Sequence, residues 1–145
     1  MKKKEIMEKL VENMENWQKV ENASVVSTGK IIEKTSNPVI RLIMEIIQRD
    51  SQMHYRIQEL IADSLKKKAI SLTPEDMADV WSLIDKHLEI ENKTIQLAKE
   101  SLDALKDSKM VVQQYLLGFL LEDEEKHTHM LESLEKVKKG MYPYG

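Results

Sequence analysis

Apolar residues recur along the chain at alternating steps of three and four, the spacing that lines one face of a helix. One stripe runs through Leu10, Met14, Trp17, Glu21, Ser24, Thr28 and Ile31, and a second through Ile43, Ile47, Asp50, His54, Ile57 and Ile61. A third takes in Trp81, Ile84, Leu88, Glu91, Ile95, Ala98 and Leu102. The fourth holds Val112, Leu116, Leu120, Asp123, His127, Met130 and Leu134. Three breaks separate the stripes. Ser36-Asn37-Pro38 and Thr73-Pro74 each offer a capping residue followed by proline at the first helical position, and Lys106-Asp107-Ser108 supplies two candidate caps. The pattern predicts four helices, over about 3–34, 38–67, 74–105 and 109–139, in one domain spanning 1–139. A tail, 140–145, is expected to leave the bundle. Gly29 and Gly118 fall inside the outer two helices, where glycine costs about 1 kcal/mol relative to alanine. A bend is expected at Gly29 and close approach of a neighbouring helix at Gly118.

Composition agrees with long helices. Of 145 residues, 41% are hydrophobic and 32% charged, with few glycines, prolines and aromatics, which argues against a β sandwich. A net charge of −3 provides no basic field to draw nucleic acid or an acidic membrane. Cysteine is absent, which excludes disulfides, thiolate catalysis and a cysteine-ligated iron site. The N-terminal MKKKEIMEKL carries no apolar signal core, and no run approaches the roughly 18 apolar residues needed to span a bilayer. The expectation is a soluble, cytoplasmic protein.

Within these stripes some residues do not belong to an apolar core. The second and fourth each place an Asp and a His four residues apart, Asp50 with His54 and Asp123 with His127, where Leu or Ile is called for. The first and third each carry one acid, Glu21 and Glu91. These coincidences repeat: Val20-Glu21-Asn22 matches Ile90-Glu91-Asn92 at an offset of 70, and Ile47…Asp50…His54 matches Leu120…Asp123…His127 at an offset of 73. A longer second hairpin loop accounts for the difference, and the chain reads as a duplicated helical hairpin. At about 1.5 Å rise per residue, the Glu and Asp of each hairpin fall within roughly 2 Å of one level. Four acids and two histidines are therefore expected in one layer of an antiparallel four-helix bundle. Unpaired carboxylates there would cost several kcal/mol each. Two divalent cations would offset their charge, with neutral imidazoles completing the coordination.

In this arrangement the chain resembles the ferritin-like superfamily, particularly its rubrerythrin-type di-iron carboxylate proteins. Their sites take one Glu from each of two helices and a Glu-x-x-His from each of the other two. Glu124-Glu125-Lys126-His127 fits the second element, and Glu21 and Glu91 fit the lone glutamates. The resemblance implies two metal ions, iron first and manganese or zinc as alternatives, held by Glu21, Asp50, His54, Glu91, Glu124 and His127. Asp123 would hold the His127 ring from outside the metal shell. The implied activity is that of a peroxidase, oxidase or ferroxidase acting on peroxide or dioxygen, with an external electron donor. The first hairpin departs from the pattern. It reads Ser51-Gln52-Met53-His54, so Ser51 stands where a metal-bridging Glu is expected. Either Asp50 substitutes from the adjacent position or this half-site is weakened.

A second departure concerns topology. Ferritin-like folds have a long crossover between helices two and three, and here about six residues, 68–73, span at most about 20 Å. The bundle is then plain up-down-up-down, or hairpins are exchanged in a homodimer. His87, four before Glu91, is expected at the rim, His129 on the surface, and Trp17 and Trp81 as core anchors. The competing reading is a non-enzymatic dimerisation or partner-binding bundle whose polar layer fixes register. A hemerythrin-type oxygen carrier, which needs about five histidines, is excluded by the four present.

Overall fold

Two of the four helix starts follow directly from the residues that precede them. Asn37 accepts from the backbone N–H groups of Val39 and Ile40 at 3.0 and 3.1 Å, and Pro38 follows it where no N–H is needed. Thr73 forms a reciprocal box with Asp76, each side chain accepting from the other's backbone N–H at 3.1 Å, again with proline next. In the computed structural model, which describes residues 2–143, these caps open two of four α-helices, and no strand occurs among the described residues. The helices are α1 (Lys3–Lys34), α2 (Pro38–Lys66), α3 (Pro74–Leu105) and α4 (Val111–Met141). None is long and apolar enough to cross a membrane.

Two compact units divide the chain, Met1–Ile70 and Ser71–Gly145. Each is a helical hairpin, α1 packed on α2 in hairpin 1 and α3 on α4 in hairpin 2. Their cross-helix bonds show the direction of pairing. In hairpin 1, Glu15 meets Lys66, Glu21 meets Gln58, Ser24 meets Ser51, Gln48 reaches the Val25 carbonyl, and Arg41 reaches that of Ile32. Numbers climb on α1 as they fall on α2, so the two run antiparallel. Hairpin 2 does the same through Glu91 with His127, Thr94 with Glu124, and Gln114 with the Leu105 carbonyl.

Two helices in contact bury only one line of side chains each. In hairpin 1 that line is Met14, Glu21 and Thr28 against Ser51, Gln58 and Ala62. On α3 it is Met77, Glu91 and Ala98, while α4 buries no described residue fully. The buried line of α2 lies one position beyond the apolar stripe, so Ile47 and Ile57 remain exposed. Trp17, expected as a core anchor, is 52% exposed for the same reason: it flanks the contact line instead of lying on it.

Three local expectations are corrected. α4 begins at Val111, not 109, because Ser108 spends its hydroxyl accepting from the Met110 N–H at 3.2 Å and donating to the Leu105 carbonyl at 2.8 Å. Helix α4 continues through Gly140 to Met141, past the expected start of the tail, whose last residues, 144–145, lie outside the described residues. Among the described residues of hairpin 2 nothing approaches within 4 Å of a Cβ placed on Gly118, so contact with α3 does not explain that glycine. A Cβ placed on Gly29 would lie 3.6 Å from Gln48 Nε2, and the glycine sits within the continuous α1.

Candidate metal centre

Helical spacing builds the cluster in hairpin 2. Glu124 and His127, three apart on α4, share a face that looks across to Glu91 on α3. Ligand atoms of Glu91, Glu124 and His127 all lie within 4.8 Å of one another. His127 Nδ1 stands 3.5 Å from Glu91 Oε1 and 3.7 Å from Glu124 Oε2. Its other nitrogen, Nε2, faces Asp123 Oδ2 at 3.4 Å, the arrangement by which a carboxylate orients a ligating imidazole. Thr94 donates to Glu124 Oε2 at 3.0 Å, and His87 Nε2 lies 2.8 Å from Glu91 Oε1.

Glu91 is 6% exposed, and its Oε2 is buried without a hydrogen-bond partner among the described residues. A carboxylate oxygen so placed costs free energy until a proton or a cation serves it. The adjoining carboxyls shift in opposite directions. A hydrogen bond to Glu91 holds Glu124 above the usual glutamate range, reinforced by burial and opposed by Thr94. Accepting that bond holds Glu91 below the range, against its own burial and with help from His87 and His127. Donors around a bound ion at about 2.0–2.2 Å lie roughly 3.0–3.4 Å apart, so an ion would require these side chains to close by about an ångström. Glu124 and His127 are partly exposed. The donor set, two carboxylates and an imidazole, suits iron, manganese or zinc. A groove of about 460 Å³ beside the cluster is lined by His87, Glu91, His127, Met130 and Leu131.

Hairpin 1 also sets a buried glutamate against a histidine of its second helix, with different chemistry around them. Glu21, also 6% exposed, has His54 Nδ1 at 3.3 Å from its Oε2, and the Gln58 amide donates to the same oxygen at 3.0 Å. Ser51, the counterpart of Glu124, shares a 2.8 Å hydrogen bond with Ser24. Asp50 is exposed and is not brought to Glu21 or His54. Six residues were expected to hold metal. The structure gathers Glu91, Glu124 and His127 in hairpin 2, pairs Glu21 with His54 in hairpin 1, and leaves Asp50 outside both.

No family of known proteins, no curated protein and no solved structure matches the chain. The site therefore rests on its own geometry.

Sequence reasoning missed Gln58 and Thr94 and undervalued His87. Gln58 is 3% exposed, on the buried line of α2, and the signal that could have found it is a polar residue one turn beyond His54. His87 is indeed at the rim, with its side chain half exposed, yet it bonds the buried glutamate.

Proposed function

We propose that the chain is a non-haem metal protein of the ferritin-like, rubrerythrin-like kind, reacting with peroxide or dioxygen. The observation that carries this reading is the buried Glu91 oxygen without a partner, set against Glu124 and His127. Iron is the leading ion, and two ions are the complement the resemblance implies. Bound there, iron would supply the electrons that reduce the oxidant, with an external donor restoring them, since the chain has no cysteine with which to hold a second redox centre. The protein's part is to supply ligands, to orient His127 through Asp123, and to leave the groove beside Met130 and Leu131 for a small oxidant. An antiparallel four-helix bundle in a homodimer belongs to the same proposal. Its support is the apolar side chains left exposed on each hairpin, Leu10, Trp17 and Ile57 on the first and Leu120 and Met130 on the second.

Metal content per chain, measured by inductively coupled plasma mass spectrometry after growth with iron, manganese and zinc, tests this directly. Stoichiometric iron or manganese that is lost in His127→Ala, together with peroxide consumption by the loaded protein, is the expected result. No metal after anaerobic reconstitution with ferrous iron would remove it. The second reading, a structural bundle with a polar layer, draws on hairpin 1, where Gln58 donates to Glu21 and Ser24 bonds Ser51. It requires that His54→Leu and His127→Leu both keep the fold and that neither metal nor turnover is found.

A further inference from the structure

The two hairpins offer a cation very different surroundings at equivalent places. Hairpin 2 presents two carboxylates and an imidazole, one carboxylate oxygen being buried and unpartnered. Hairpin 1 presents one carboxylate and one imidazole, and its carboxylate is already engaged. The residue that engages it, Gln58, is 3% exposed, and its amide nitrogen donates to Glu21 Oε2 at 3.0 Å. An amide N–H brings partial positive charge to a carboxylate oxygen, as an ion would, and its nitrogen has no lone pair to ligate one, while Gln58 Oε1, buried without a partner among the described residues, is a neutral oxygen that offers a cation no counter-charge. The counterpart of Gln58 in the repeat is Leu131, which borders the groove beside Glu91 and cannot donate to it. Ser51 completes the difference by taking Ser24 as its partner where hairpin 2 has Glu124 facing Thr94.

We infer that the chain binds a single divalent cation, through Glu91, Glu124 and His127 of hairpin 2, and that Gln58 closes hairpin 1 to metal by donating to Glu21. The inference rests on the metal-binding role proposed above and sets one ion in place of the two that the resemblance implies. One hydrogen-bonded carboxylate with an imidazole and a neutral amide oxygen does not compete with an imidazole and two facing carboxylates, which gain a counter-charge from the ion. One ion on three protein ligands also keeps coordination positions open toward the groove.

The test is a titration of the metal-free, full-length protein with Co²⁺, followed by visible ligand-field absorption. The expected result is one equivalent per chain, unchanged in His54→Ala. In Gln58→Glu, which keeps the side-chain shape but replaces the amide with a carboxylate, a second equivalent appears. Helix content by circular dichroism establishes that each variant is folded; should Gln58→Glu fail to fold, the parent count and His54→Ala decide the matter. Two equivalents of similar affinity in the parent, or a single one in folded Gln58→Glu, would overturn the inference and leave the metal-binding role standing. No uptake by the parent overturns that role, and the inference with it.

Discussion

Glu21 and Glu91 each lie on the first helix of a hairpin, equally buried and facing a histidine, and differ in what else lies beside them. In hairpin 1 a carboxamide donates to the glutamate, and two serines close the next position. In hairpin 2 a second carboxylate stands beside it, and one glutamate oxygen goes unserved. Packing follows the same division. α2 buries Ser51, Gln58 and Ala62, whereas α4 buries no described residue fully. In hairpin 1 the glutamate has an amide donor, while Gln58 Oε1 is itself buried without a hydrogen-bond partner among the described residues. In hairpin 2 the unpartnered oxygen belongs to a carboxylate with a second carboxylate beside it, so a bound cation would offset more charge there.

The largest effect that can break this comparison is on metal affinity. Glu91→Gln should weaken binding by about 100-fold or more, while Glu21→Gln leaves it essentially unchanged, as isothermal titration with Mn²⁺ or Co²⁺ would show. Equal losses in both variants would mean that the hairpins do not differ in the way described.

Stability comes second. Gln58→Leu gives hairpin 1 the residue that hairpin 2 has at this place, and it leaves the Glu21 carboxylate without its amide donor. Urea unfolding should show a loss of about 1–3 kcal/mol, the cost of a buried group deprived of its hydrogen bond. An unchanged midpoint would mean that the amide bond contributes nothing.

The smallest effect is a pH dependence belonging to hairpin 2 alone. Glu124 keeps its proton in the folded chain at pH values where the unfolded chain has released it, so folding takes up a proton there. Stability of the metal-free protein must then fall as pH rises from about 4.3 through the raised value of Glu124. Glu91 acts oppositely, because its depressed value contributes stability that is lost only as pH falls through that value. Thermal melts across a pH series should show the parent declining in the upper window and Glu124→Gln flatter, with a gain of about 4 °C or less at neutral pH. A parallel decline in both would assign it to other groups.

Much of this was legible before any coordinates, and the failures share one cause. Prolines and caps at 37–38 and 73–74 marked two helix starts, and the α3 stripe through Glu91 and Ala98 matched the buried line. The α2 stripe did not, because Ile47 and Ile57 carry the apolar signal while the contact with α1 goes to Ser51, Gln58 and Ala62. A reading based on hydrophobicity cannot prefer Ser51 to Asp50 as the inward residue, and it has no reason to look for Gln58. Polar residues that are buried because they bond one another become visible only when the partner helix is in place. Thr94 and His87 were obscured likewise, since each bonds a carboxylate that only the fold brings within reach.

Arg41 and Gln114 carry one more consequence, for how the chain folds. Each stands in the first turn of the returning helix and reaches back to the carbonyls that end the preceding one, Arg41 to Ile32 and Thr35 at 2.6 and 3.0 Å, Gln114 to Leu105 at 2.6 Å. Such latches close loops of fewer than ten residues, where the entropy lost is small and the search is fast. Each hairpin can therefore zip outward from its own turn as a kinetically separate unit, with the stagger of its helices set by the first contacts made. During synthesis, residues 1–70 can complete their pairing while the segment that supplies Glu91, Glu124 and His127 is still being made.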